Sequence, residues 1–231
     1  MQYCSEARRT LAQANRTLAI VQRSLRGETG NVKVGFAGNA VLTGKLMDDL
    51  RGFHRTYPDV QIELLEMAPH LQGEAIIAGE LDVGYSPSAG FTADPRRVTE
   101  KIGEWPLLVA MADDHPLAAR KRVSARSIAK EQLIVYAADE NDQAFGLLRR
   151  QFGADMNRVH RVSSTLSVLA LAAAGFGVAI VPAPLDKVTI PHLVYRPFAE
   201  KDMFADLLLL SRADETDGAV RAFLTLARKD S

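Results

Sequence analysis

Short apolar runs alternate with amphipathic helical stretches along most of this chain. The first run covers residues 32–36, and a turn at residues 37–39 leads from it into an amphipathic helix. A second strand over residues 60–65, a helix that begins at Pro69 and a third strand over residues 81–85 follow. Strands that alternate with helices at this spacing predict parallel βαβ units, and therefore an α/β fold.

The same alternation continues to the end of the chain and predicts a second α/β unit from about residue 107. Further strands are predicted over residues 107–111, 133–136, 159–162, 177–182, 193–198 and 207–210. Further helices are predicted after Ser124, over residues 143–152, over residues 166–174 and around residues 220–227.

The first thirty residues carry a different pattern, a narrow apolar seam with spacings of four and three. The seam consists of Ala7, Leu11, Ala14, Leu18, Val21 and Leu25. Such a seam suits a second helix better than a broad globular core. Five arginines against two glutamates give the segment a net charge of +3, and Gly27 and Gly30 end it. A solvated helix packed on its own domain is the alternative, but we favour a linker helix that pairs two chains.

Composition narrows the possible functions. The chain has 231 residues, 28 of them basic and 28 acidic, so its formal net charge is zero and it lacks the basic excess that binds a polyanion. The single cysteine, Cys4, forms no internal disulfide and fits a reducing compartment. The apolar runs are too short for a membrane span, and the polar N-terminus does not resemble a signal peptide. We therefore expect a cytoplasmic protein with no membrane partner.

Several segments, taken in order, resemble the effector-binding region of LysR-type transcriptional regulators together with its linker helix. They are residues 32–36 (VKVGF), 57–60 (YPDV), 64–67 (LLEM), 79–85 (GELDVGY), 114–118 (DHPLA) and 171–182 (LAAAGFGVAIVP). Each is a weak signal alone, whereas the ordered set is specific. The resemblance is greatest to the branch that controls breakdown of aromatic compounds and answers to muconate or benzoate-like acids.

The resemblance implies two Rossmann-like subdomains, arranged as in type 2 periplasmic binding proteins, with a small-molecule effector in the cleft between them. Subdomain I would comprise residues 32–106 and 203–231, and subdomain II residues 107–202, after a linker helix over residues 1–30. It also implies a homo-oligomer, dimer or tetramer, formed through the linker helix and the regulatory domains. DNA would be bound only by an N-terminal helix-turn-helix that this chain lacks.

Three helix starts are expected to converge on that cleft and to hold a carboxylate or aromatic acid. Helix N-termini expose unpaired N–H groups and a partial positive charge, which suit a carboxylate. The candidate ligand-binding residues are Asn39, Ala40, Val41, Thr43, Pro69, His70, Ser163, Ser164 and Thr165, with Tyr136, Ala137 and Ala138 as the opposing wall.

Simpler explanations exist for each of these residues. Asn39 and Ser164 are good N-caps, Thr43 could bond back to its own helix, and His70 could be an exposed loop side chain. Capping is the better explanation for any single residue, whereas ligand binding is the better one for the group. The chain also departs from the muconate-responsive branch at Asn39 and Pro69, where a hydroxyl residue is usual.

An enzyme and a solute-binding protein are the two alternative classes of function. An enzyme is disfavoured, because there is no dinucleotide or phosphate-binding glycine motif and no pair of histidines at metal-ligand spacing. We expect no catalytic residues, no cofactor and no metal; Asp113, Asp114 and His115 are better explained as a turn before Pro116. A type 2 solute-binding protein of a transporter would share the fold, but the seam helix and the absence of a signal segment argue against it.

Overall fold

The computed structural model describes residues 13, 22, 26–87, 93–136 and 159–229. Gln13 and Gln22 are both helical. The seam residues of the predicted linker helix and the predicted helix over residues 143–152 lie outside the described residues, so both stay predictions.

The described residues form nine strands and five α-helices, with two short 3-10 turns at Ala40–Thr43 and Ala183–Lys187. The strands are β1 (Gly30–Phe36), β2 (Val60–Glu66), β3 (Val83–Pro87), β4 (Arg97–Ala112), β5 (Leu133–Tyr136), β6 (Val159–Val162), β7 (Val178–Pro182), β8 (Leu193–Pro197) and β9 (Phe204–Arg212). The helices are α1 (Lys45–Thr56), α2 (Pro69–Ala78), α3 (Ala125–Ile128), α4 (Thr165–Ala173) and α5 (Gly218–Lys229).

The long strand β4 connects two groups of strands. The order is β2-β1-β3-β9-β4-β7-β5-β6, and β8 also pairs with β4. The first part of β4, as far as Pro106, pairs antiparallel with β9. From Leu107 onward β4 pairs antiparallel with β7 and β8 instead. β3 pairs antiparallel with β9. The other neighbours run parallel, β1 with β2 and β3, and β5 with β6 and β7, as the βαβ pattern predicts.

The apolar interior is grouped in the same way as the strands. One set of clusters packs α1 and α5 on one face of the β1-β2-β3-β9 group and α2 on the other, with Phe53, Tyr85 and Phe223 fully buried in the first. The other set lies around the second half of β4 with β5 and β7, and α4 covers part of it through Leu169. Apolar stripes at helical spacing therefore cover both faces of the sheet.

Several predicted helix boundaries are confirmed. Pro69 occupies the first turn of α2, where its missing N–H costs nothing, and Gly79 ends that helix in the left-handed conformation at φ 75°. Ser124 caps α3 by accepting a hydrogen bond from the Ser127 N–H. The apolar stripe of α5, including Val220 and Phe223, is buried as expected.

The prediction that a continuous helix begins at Asn39 is wrong. Residues Ala40–Thr43 form a 3-10 turn, and α1 begins only at Lys45. Gly44 separates the two at φ 87°, a left-handed conformation that a continuous α-helix does not contain. The third strand also begins later than predicted, because Leu81 still belongs to the helix end, where its N–H donates to the Ala75 carbonyl.

Within the described residues, no helix has both the length and the apolar character needed to span a bilayer.

Candidate functional site

The carboxyl ends of β1, β2 and β3 gather at one edge of the sheet. The N–H of Ala37, just past β1, donates to the Tyr85 carbonyl at 3.0 Å. The N–H of Met67, just past β2, donates to the Phe36 carbonyl at 2.9 Å. The residues that follow β1 and β2 therefore lie together, at the edge where open α/β sheets bind ligands.

Gly38, just beyond β1, lies opposite the first residue of α4, which belongs to the other group of strands. A Cβ placed on Gly38 would lie 3.3 Å from Thr165 Oγ1 and 2.6 Å from Glu66 Oε1. A methyl group at this position would overlap the Glu66 carboxylate, so the glycine allows the two walls to approach each other closely across a narrow gap. Gly38, Glu66 and Thr165 are thus neighbours in space although they are far apart in the chain.

A second contact between the two groups of strands lies beside this gap. The 40–43 turn contacts the 183–187 turn. Leu42 packs against the apolar cluster that contains Val181 and Leu185. The gap therefore has one wall from each group, and an apolar contact adjoins it.

The backbone around Gly38 offers unpaired donors. The Ala40 N–H donates to the Ala37 carbonyl at 2.8 Å, so its backbone donor is already paired. The N–H groups of Gly38, Asn39 and Val41 form no hydrogen bond within the described part of the chain. Successive unpaired N–H groups in a tight turn form an anion-binding concavity.

The start of α4 offers the same kind of donors from the other wall. Ser164 is its N-cap, but the serine side chain makes no capping hydrogen bond. In the described residues, the N–H groups of Thr165, Leu166 and Ser167 also have no acceptor. Such a helix start carries a partial positive charge and attracts anions or other acceptors.

Local hydrogen bonding by the side chain does not explain Asn39 or Ser164, but it does explain Thr43. Neither Asn39 nor Ser164 makes a side-chain capping bond, so capping does not explain these polar residues. Asn39 has helical dihedrals, φ −77° and ψ −19°, rather than the extended ones of an N-cap. Thr43, in contrast, donates through its hydroxyl to the Ala40 carbonyl at 2.7 Å, which explains that residue locally.

The start of α2 contributes a more closed surface than the sequence predicts. Pro69 is buried, and both ring nitrogens of His70 are shielded from solvent, so the simpler explanation of His70 as an exposed loop side chain does not hold. Beneath them, buried Gln72 donates through Nε2 to the Met67 carbonyl at 3.0 Å. The Gln72 amide thereby positions the residues that follow β2, a role that sequence reasoning missed.

The remaining predicted residues that the structure describes lie on β5 and just before α4. Tyr136 is half-buried and packs against the cluster on α4, and Ser163 is exposed just before that helix. Ala137 and Ala138 lie outside the described residues. Glu66 and Gly38 were not predicted as site residues, because no local pattern links them to Thr165.

The chemistry available at this gap is hydrogen bonding. It holds backbone donors, the Thr165 hydroxyl, the Asn39 amide and one carboxylate, Glu66. In the part of the chain that the structure describes, no group of three or more His, Cys, Asp or Glu side chains is arranged to hold a metal ion.

Comparisons with known proteins agree with the fold. Residues 25–231 match the family model of the LysR substrate binding domain. YnfL, an uncharacterized HTH-type transcriptional regulator of Escherichia coli, is 29% identical over 228 residues, covering 96% of this chain and 75% of that protein. AlsR, an HTH-type transcriptional regulator of Bacillus subtilis, is 25% identical over 229 residues, covering 97% and 74%.

Two solved structures share the fold at lower identity. The effector binding domain of BenM with its effector benzoate has a TM-score of 0.74 and 23% identity, covering 87% of this chain and 91% of that chain. CbnR, a LysR family transcriptional regulator, has a TM-score of 0.77 and 23% identity, covering 97% and 78%. These relatives are regulators rather than enzymes or transporter components. The chain belongs to the LysR substrate-binding domain family, the effector-sensing region of LysR-type transcriptional regulators.

Proposed function

We propose that the effector site lies between the two walls that meet at the gap between Gly38 and Thr165, and that it binds a small carboxylate or aromatic acid. The observation that carries this proposal is the approach of two sets of unpaired N–H groups from opposite walls. One set belongs to the 38–41 turn and the other to the start of α4. A carboxylate has acceptor oxygens for both sets.

The energetics of such a site are adequate without a buried arginine. Micromolar binding needs about −8 kcal/mol. A helix start contributes roughly 0.3–1 kcal/mol to an anion, and up to ~2 kcal/mol where it is partly buried. Each neutral hydrogen bond adds about 0.5–1.5 kcal/mol. Burial of an apolar ring against side chains such as Leu42 supplies the remainder.

The binding would act as a signal by changing how the two subdomains sit. We take subdomain I as residues 32–106 and 203–231 and subdomain II as residues 107–202. The change of pairing partner along β4, near Pro106, supports this division. An effector shifts the equilibrium only if it binds one arrangement more tightly than the other.

The regulator as a whole would work in the cytoplasm as a homo-oligomer that holds operator DNA. Chains would pair through the linker helix over residues 1–30 and through the regulatory domains. DNA would be held by a helix-turn-helix that precedes this chain. The full-length CbnR structure with its target DNA shares this fold at a TM-score of 0.78, which supports the arrangement.

A thermal-shift screen of aromatic and dicarboxylic acids tests the proposal. Asn39→Leu and Thr165→Val should each reduce the stabilisation by the best acid, because each removes a polar group from one wall. Loss of one hydrogen bond corresponds to about a threefold to tenfold loss of affinity.

The chain offers matched controls for both substitutions. Asn31→Leu makes the same change at the opposite end of β1, where Asn31 is exposed. Thr225→Val does so on α5, where the threonine hydroxyl bonds only to the Arg221 carbonyl of its own helix. The effector site lies elsewhere if the acid stabilises all four variants less, and to the same extent. It also lies elsewhere if the acid stabilises Asn39→Leu and Thr165→Val as strongly as the wild type.

A further inference from the structure

A shallow cavity of about 380 Å³ lies on the second group of strands, away from the gap at Gly38. It is lined by Ala118, Ala119, Arg120, Lys121, Tyr195, Arg196 and Pro197. Its volume is within the range of small-molecule sites, and three of its seven lining residues are cationic. Arg122 and Arg126 are exposed close by in the chain, which makes this the most basic short segment among the described residues.

Within the described residues, Arg196 and Arg122 donate their hydrogen bonds to backbone carbonyls, which are neutral acceptors. Arg196 is half-buried, and it donates through Nε to the Ala118 carbonyl at 2.9 Å and through Nη1 to the Tyr195 carbonyl at 2.8 Å. Arg122 donates through Nη1 to the Phe198 carbonyl at 3.1 Å. Carbonyls orient a guanidinium but do not neutralise it, so these groups are positioned and still carry full positive charge.

These cations form no ion pair in the described part of the chain. None of Arg120, Lys121, Arg122, Arg126 and Arg196 forms an ion pair there, although six other Lys and Arg side chains do. The adjacent Glu200 accepts from the Ala125 N–H at 3.1 Å, so its one negative charge offsets only part of this excess. Because the whole chain has no net charge, this cluster is a local excess and not a general property of the protein.

We propose that the cavity bounded by Arg120, Lys121 and Arg196 binds a small phosphorylated molecule. A fixed guanidinium matches the geometry of a phosphoryl group, and three cations match a multiply charged anion better than a single carboxylate. The concave shape favours a small ligand over a nucleic-acid backbone, which would need cations spread along a groove. The site is separate from the proposed effector gap and does not depend on it.

Pyrophosphate is the probe that tests this site, by titration calorimetry on the full chain at low salt. Lys121→Glu is the test variant, because Lys121 is exposed and forms no ion pair within the described residues. Lys229→Glu is its control, with the same change of charge at an exposed residue at the end of α5, in the other group of strands. We expect saturable binding that Lys121→Glu weakens by about fivefold or more, and that Lys229→Glu changes by less than about twofold.

Three results would overturn the proposal. The first is no pyrophosphate binding at millimolar concentration. The second is an equal loss of affinity in both variants, which would show a nonspecific effect of net charge. The third is binding of a short duplex DNA, sensitive to Lys121→Glu, without pyrophosphate binding. Circular dichroism of each variant verifies that the fold is retained.

Discussion

The Tyr85 hydroxyl donates a 2.6 Å hydrogen bond to Asp49 Oδ2 inside the apolar core formed by α1, α5 and β3. The other carboxylate oxygen accepts from Lys45 Nζ at 2.6 Å, and that ammonium also donates to the Ala227 carbonyl at 2.7 Å. Asp49 and Tyr85 are 1% and 0% exposed. One buried carboxylate thus links the start of α1, the middle of β3 and the last turn of α5.

Removing the Tyr85 hydroxyl should lower stability. Tyr85→Phe leaves a buried carboxylate with one donor fewer, which costs about 1–3 kcal/mol of unfolding free energy. Urea denaturation measures the change. Tyr57→Phe is the matched control, because Tyr57 packs on the same core beside Phe53 but its hydroxyl has no hydrogen-bond partner in the described residues. Equal effects of the two substitutions would contradict the role assigned to the Tyr85–Asp49 bond.

The same contact predicts how stability changes at alkaline pH. Burial, with the neighbouring Asp49 carboxylate, raises the pKa of Tyr85 well above its ordinary value of 10.0. Below pH 10 the phenol is protonated in both the folded and the unfolded chain. Above pH 10 the phenol ionises in the unfolded chain but stays protonated in the folded chain. The unfolded chain then binds fewer protons than the folded chain, so the free energy of unfolding falls as the pH rises toward the folded-state pKa. Urea melts between pH 8 and pH 11 should therefore show a smaller stability difference between the wild type and Tyr85→Phe at the upper end. A difference that stays constant or grows with pH would refute this.

Filling the gap at Gly38 should weaken effector binding without unfolding the protein. The added methyl group of Gly38→Ala meets the far end of the exposed Glu66 side chain, which can move, and Thr165 Oγ1 at 3.3 Å. We expect a stability change within about 1 kcal/mol and at least about a fivefold loss of affinity for the best acid of the screen. Calorimetry measures the affinity and urea denaturation the stability.

Gly52→Ala is the control for this substitution. Gly52 lies inside α1, and a Cβ there would make only ordinary contact, 3.5 Å from Leu226. Alanine should raise stability by about 0.5–1 kcal/mol at this position and leave affinity unchanged. Unaltered binding in Gly38→Ala would place the effector away from this gap.

Neutralising Glu66 should strengthen the binding of carboxylates. Glu66 Oε1 and Thr165 Oγ1 both lie within 3.3 Å of the same point, so a bound carboxylate there is close to a like charge. At about 4 Å in water such repulsion is worth ~1 kcal/mol, so Glu66→Gln should raise affinity about fivefold. Glu63→Gln removes the same charge from an exposed position on β2 and should have little effect. Weaker binding in Glu66→Gln would mean instead that the ligand donates a hydrogen bond to this carboxylate.

The sequence predicts the strands and most helices of this protein because their signals are local. Apolar runs bounded by turn residues identify β5 and β7, and Pro69 and Gly79 mark both ends of α2. The break at Gly44 was also visible as a glycine one residue after Thr43. It was missed because the apolar stripe continues across it, and periodicity alone does not reveal a single left-handed residue.

The site is predictable only in part, because its geometry is tertiary. Local patterns identify Asn39 and Thr165 as polar residues at element starts, but they also favour side-chain capping, which neither Asn39 nor Ser164 performs. The spacing of Lys45 and Asp49 indicates a helical ion pair, whereas nothing in the sequence links either one to Tyr85. Likewise, only the folded chain brings Gly38 and Glu66 together with Thr165.

Removing the N-terminal segment should separate paired chains. Gly27 belongs to the folded domain, since a Cβ on it would lie 2.3 Å from the Gly218 carbonyl oxygen at the start of α5, so the truncation should remove residues 1–25 only. We expect a lower solution mass by light scattering, with the unfolding transition of the remaining domain intact. Leu11→Glu with Leu18→Glu should act similarly, because both leucines lie on the apolar seam that would pack against a second helix. Thr10→Glu with Thr17→Glu adds the same charge beside the seam and should leave the mass unchanged. An unchanged mass after truncation would refute pairing through this helix and leave the regulatory domains as the sole contact between chains.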